Sequence, residues 1–152
     1  MKILNISIKK AEILEEVALA AAYSGAKTEA AEGFFDRVAT IEDDSGILSR
    51  FWTLICGRVA DKLKNFITAS EISGDSLSLT LELSGAYDDT LSPSVKSDLF
   101  SAMASGVTAK WFRITFPARA PEWEDQSAEL LERALSKLCH RLPPQRQQSL
   151  TI

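Results

Sequence analysis

The chain alternates cleanly in one place and repeats at helical spacing almost everywhere else. In "DSLSLTLELSG", Asp75 to Gly85, leucine occupies positions 77, 79, 81 and 83, with Ser78, Thr80 and Glu82 between them. A period of two puts the four leucines on one face of a strand and the polar residues on the other. The preceding "ITASEI" is a weaker extended run, and Gly74-Asp75 between the two is a turn signal. These residues predict a β-hairpin at about 68–84. A two-stranded hairpin is marginal alone, so its leucine face must lie on the rest of the molecule.

Four helices are expected around it. Ser7 can cap the first, over about 8–23, where Ile8, Ala11, Leu14, Val17, Ala18, Ala21 and Ala22 recur at spacings of three and four. Gly25 is a plausible stop. The residues "KILNISI" also alternate, so a short strand competes for that start. A second helix begins at Asp44 or Ser45 and carries Ile47, Leu48, Phe51, Trp52, Leu54, Ile55, Val59, Leu63 and Phe66. So wide an apolar face predicts the central helix of the domain.

Ser92-Pro93 opens a third helix, since proline in the first turn loses no helical hydrogen bond. Val95, Leu99, Met103, Val107 and Trp111 then stand four apart. "KWFRITF" has a strand-like composition, but the unbroken spacing favours helix to about 114, before Pro117. The last helix, about 121–141, turns Trp123, Ser127, Leu130, Leu131, Ala134, Leu135 and Leu138 inward. Its acidic start and basic end match the helix dipole. Residues 24–44 are irregular, with Phe34, Phe35, Val38 and Ile41 apolar enough to pin them to the core. The fold class expected is mainly α: a four-helix bundle-like domain over 1–144 with one inserted β-hairpin. Residues 145–152 are expected to form a flexible polar tail.

Composition narrows the class without naming an activity. At 152 residues the chain fits one domain, burying roughly 70% of its unfolded surface. With 45% hydrophobic and 25% charged residues it has the balance of a globular protein. The first residues lack the apolar core and small-residue cleavage site of a signal peptide. The most apolar run, 17–23, falls far short of a membrane span. A protein made in the cytoplasm, with no membrane partner, is expected. The net charge of −4 gives no broad basic field. Cys56 and Cys139 have no metal-type spacing and read as reduced thiols.

Candidate chemistry adds little. His140 follows Cys139, and neighbours on a helix point about 100° apart, so they cannot act as a nucleophile–base pair. "YDD" at 87–89 has the letters of a polymerase metal motif, but the chain has no room for that domain. Turn-forming Gly85, Asp88 and Asp89 explain the stretch better. No phosphate loop, Cys-x-x-Cys or HExxH occurs. No catalytic residue, cofactor, metal or small-molecule ligand is therefore expected. Trp52, Trp111 and Trp123 lie on apolar helix faces and read as core. A nucleic-acid role would use Lys110, Arg113, Arg119, Arg133, Lys137, Arg141 and Arg146, but Glu122, Glu124, Asp125, Glu129 and Glu132 dilute that field.

The runs "ILEEVALAAAYSGAK", "ILSRFWTLICGRVADKLKNF", "LTLELSGAYDD", "AKWFRIT" and "LLERALSKLCHRLPP", in that order, span most of the chain. The pattern resembles small proteins encoded among the structural genes of tailed-phage prophages. Helices interrupted by one hairpin are similar in plan to head–tail connector (adaptor) proteins, which form rings below the portal. The resemblance implies a non-enzymatic virion protein whose partners are itself and a portal or tail component. It makes the hairpin an inter-subunit or portal-facing element but carries over no interface residue; the open strand edge makes Thr80 and Glu82 candidate interaction residues, and Arg146 in the tail is a third. The tail after Pro144 could order on assembly. A small intracellular adaptor or regulator is the other reading, ahead of a DNA-binding module.

Overall fold

The computed structural model describes residues 1–27 and 44–144. The irregular segment, for most of its length, and the C-terminal tail with Arg146 lie outside the described residues. The chain opens with strand β1 (Lys2–Lys9), which runs directly into helix α1 (Lys10–Lys27). Helix α2 (Ser45–Lys62) leads into the hairpin strands β2 (Ile67–Ile72) and β3 (Ser76–Leu83). A short 3-10 turn, Asp89–Leu91, precedes the long helix α3 (Ser92–Thr115), and α4 (Ala120–Cys139) packs back along it.

The hairpin is therefore part of a three-stranded antiparallel sheet in the order β1-β3-β2. This corrects the expected start of the first helix. Leu4, Ile6 and Ile8 alternate inward with Ile3, Asn5 and Ser7 outward, and the period changes from two to helical only at Lys10. Ser7 sits in the strand and caps nothing. Within α1 the buried positions are Ile13, Val17, Ala21 and Ser24, while Ala11 is exposed. Gly25 lies inside the helix rather than after it.

β1 and β3 pair along their full length, from Lys2 opposite Leu83 to Lys9 opposite Ser76. The register sets Leu4, Ile6 and Ile8 beside Leu81, Leu79 and Leu77, giving one apolar face against the helices. The amide of Lys10 donates to the carbonyl of Asp75 (2.9 Å), tying the strand–helix junction to the hairpin turn. Inside that turn Ser73 Oγ accepts from the amides of Asp75 and Ser76. The Trp52 indole donates to the Ser73 carbonyl at 3.4 Å, fixing the turn to α2.

The central helix is α3, not α2. Eleven of its residues are buried, and they include Ser105, Gly106, Thr108 and Ala109 besides the predicted apolar stripe. A Cβ on Gly106 would stand 2.8 Å from Ile55 Cδ1 on α2 and 3.1 Å from Ser127 Oγ on α4. Glycine at this point lets both helices come close to α3. Ser127 Oγ donates to the Ala102 carbonyl at 2.7 Å, which satisfies its hydroxyl inside the α3–α4 contact. Residues 108–115 are helical, as the spacing favours, and Trp111 and Phe112 are core residues.

The chain beyond α4 returns to the sheet end of the molecule. Leu142 donates its amide to the Ala86 carbonyl (2.7 Å), and Arg141 bridges to Tyr87. Lys2 donates to the Tyr87 carbonyl and pairs with Asp89 at 3.0 Å.

Candidate protein-interaction surface

Thr80 and Glu82 stand on the outer face of β3, opposite the leucines. β3 is the middle strand, so its two edges are already taken by β1 and β2. Thr80 Oγ1 donates to Asn5 Oδ1 at 3.2 Å, and the Glu82 amide donates to the Phe66 carbonyl at 2.8 Å. Neither residue can pair its backbone with a neighbour, and proline at Glu82 would break the fold before any assembly. The sequence pattern missed this because the strand that occupies the edge, β1, reads equally as the start of a helix.

β1 and β2 are both edge strands, and β2 is the more exposed of the two. Every residue from Thr68 to Ile72 is exposed, including Ser70 and Ile72, which share a face with the buried Leu79 and Leu77. β2 thus reaches past the helical layer and is held to the body by β3 on one side. A bulge between Ile67 and Ala69, with Thr68 Oγ1 donating to the Thr80 carbonyl, interrupts its register. Bulges are one way in which an open edge is made less adhesive. The remaining four residues form an even, nearly uncharged edge with Glu71 as their only ionisable group.

The basic C-terminal third is largely neutralised. Arg113 pairs with Glu124, Arg119 with Glu122, Arg133 with Glu129, and Lys137 with Asp98. Lys137 also donates to Ser94 Oγ, so that contact ties α4 to the start of α3. Lys62 of α2 pairs with Glu132 of α4. Apart from the partly buried Lys137–Asp98 pair, these exposed pairs add little stability, but all of them remove free positive charge that a polyanion would seek.

Arg58 and Lys110 are cations with no ion-pair partner among the described residues. Burial, then the charges of Arg58 and Arg113, hold the Lys110 ammonium below its ordinary pKa. Arg58 borders a groove of about 270 Å³ between α2 and α4, whose other walls include Lys62, Ala128, Leu131 and Glu132. A second groove, of about 250 Å³, separates α1 from α3 and α4 and includes Glu16, Phe100, Ser101, Trp123 and Gln126. The helices α1 and α2 therefore flank α4 on opposite sides.

The remaining candidates have structural roles. Asp88 caps the 3-10 turn through Thr90, whose hydroxyl (2.6 Å) and then amide (3.0 Å) hold the carboxyl below its usual pKa. Cys56 is fully buried and its thiol is pushed up to about 12 by that burial. Cys139 and His140 are exposed at the end of α4. Trp52 and Trp111 are buried, and Trp123 packs edge-on to Phe112 with ring centroids 5.8 Å apart. No helix among the described residues is long and apolar enough to cross a membrane. Comparison with family models, with curated proteins and with solved structures yields no match for this chain.

Proposed function

We propose that this protein is a non-enzymatic structural protein of a tailed phage or prophage, a head–tail connector acting through self-association and contacts with a portal or tail component. It is made in the cytoplasm and becomes part of the virion. The observation that carries the reading is the β2 edge. A helical body holds out a strand exposed on both faces, and such an edge can add a strand from another chain. The order of sequence elements supports the phage assignment, and the pairing of the basic residues with carboxylates weighs against DNA binding.

The test is reconstitution with the portal encoded beside this gene, read by hydrogen exchange. Amides of residues 67–72 should become protected in the complex. Unchanged exchange there, in a complex verified by other means, overturns the interface. Portal, capsid and tail genes flanking this one support the phage assignment. Metabolic or regulatory neighbours instead favour a small adaptor that binds another protein through the same edge.

A further inference from the structure

Two surface features carry charge that the described residues leave unmatched, and they have opposite signs. On α1, Glu12, Glu15, Glu16, Leu19 and Tyr23 fall on one face of the helix, and all are exposed. Glu12 and Glu16 are like charges one turn apart, about 6 Å along the axis, an arrangement that weakens a helix unless a cation approaches. None of the three glutamates forms an ion pair with a described residue. Leu19 is 61% exposed beside them.

The opposite surface lies one turn beyond the Ile55–Gly106 contact on both α2 and α3. Arg58 borders the groove between α2 and α4, and Lys110 on α3 is near enough for the two charges to interact; neither has a carboxylate partner among the described residues. Leu54, one turn before Arg58 on α2, is 51% exposed. The α1 patch thus sets three glutamates beside one exposed leucine, and the opposite surface sets two cations beside another. The groove is too small for a helix and large enough for side chains that reach in from one. Since α1 and α2 lie on opposite flanks of α4, that helix stands between the patches and they do not meet within one copy.

We propose that the groove between α2 and α4 receives the α1 face of a second copy, with Glu12 and Glu16 meeting Arg58 and Lys110 and Leu19 covering Leu54. This rests on the self-association half of the function proposed above and supplies its contact. Because different patches meet, the interface is heterologous and repeats from copy to copy, closing into a ring or continuing as a filament according to its angle. A polynucleotide is the poorer occupant, because the net charge is −4 and the neighbouring cations are paired.

The test compares three full-length proteins by sedimentation velocity at low and high salt: wild type, E12K/E16K and R58E/K110E. Wild type should self-associate, and salt should weaken the association. Each reversed variant should bind itself at least about tenfold more weakly, since like charges then face each other across the contact. Mixing the two variants should restore association, because each supplies the patch the other has reversed. Circular dichroism checks that these surface changes leave the fold intact. A wild type that stays monomeric at low salt and at the highest attainable concentration overturns the proposal. So does association indifferent to both reversals, or a mixture that fails to recover. Association that follows the charges in a protein that binds no portal or tail component keeps this interface and removes the connector function.

Discussion

Helix α3 and strand β2 are opposite ways of belonging to one fold. α3 has buried residues around most of its circumference, and α1, α2 and α4 all rest on it. β2 exposes five of its six residues and is attached through its ladder to β3 and the Ser73–Trp52 contact at its turn. Stability should be concentrated where few surfaces remain for a partner, and local opening should cost least at β2. A protein that works by contact needs both, a body that holds its shape and an edge still able to pair.

The largest effect expected comes from emptying the core around α3. Phe112 is 0% exposed and touches both Phe116 and Trp123 edge-on. Phe112→Ala should cost about 3–5 kcal/mol in a denaturant titration. Ile72→Ala on β2, where the side chain is 44% exposed, should cost under about 1 kcal/mol on the same measure. Similar losses from the two would end the contrast between the segments. Next in size is Gly106→Val, whose added carbons would press on Ile55 and Ser127. It should cost about 1–3 kcal/mol through overpacking.

How much of this contrast the sequence discloses depends on the range of the interaction. The hairpin is legible because Leu77, Leu79, Leu81 and Leu83 alternate within one short window, and all four are buried. The helices from Ser92 to Cys139 are legible for a similar reason, with apolar residues three or four apart and prolines at their starts. What escapes is pairing across the chain. Nothing near Lys2–Lys9 says that its partner is about seventy or more residues away, so Ser7 reads as the cap of a helix and the strand only as its competitor. Burial on α3 is hidden likewise, because Ser105, Gly106 and Thr108 look like breaks in an apolar face. Gly106 is there because two helices approach closely, and Ser105 and Thr108 are buried beside it. Arg58 and Lys110 belong to different helices that only tertiary packing, with Ile55 on Gly106 as one close contact, brings together. The candidate surface was the least legible part, since the sequence shows charges but not which of them are already paired.

The body of the fold also carries a pH signature. The Cys56 thiol titrates near 12 when folded, against an ordinary value of 9.0. Its folded pKa lies above the unfolded one, so its contribution is fully present below about 9 and is lost as pH rises toward 12. Between about pH 8 and about pH 10 the loss should reach roughly 1.4 kcal/mol. Denaturant titrations of wild type and Cys56→Ala at both pH values isolate it as the change in their difference. The same burial predicts that a thiol reagent modifies Cys139 in the native protein and reaches Cys56 only on unfolding. Reaction of both thiols at one rate would mean that α2 separates readily from α3.

The smallest effect is the most local, and it asks whether α4 presses on α3 at Gly106. Ser127→Ala removes the 2.7 Å bond to the Ala102 carbonyl. That carbonyl sits within the helix and keeps its own backbone partner four residues on, so no acceptor is stranded and the cost should be about 1 kcal/mol. The same substitution also removes the oxygen that would stand 3.1 Å from a new Cβ at position 106. Ile55 Cδ1 then remains as the close neighbour, and the end of an isoleucine can turn aside. Gly106→Ala should therefore be tolerated better in the Ser127→Ala background than in wild type, by about 0.5 kcal/mol or more in a double-mutant cycle. The helix propensity of alanine is the same in both backgrounds and cancels. A non-zero coupling places the two helices in contact through this glycine, whereas strict additivity would mean that α4 bears on α3 elsewhere and that Gly106 answers to α2 alone.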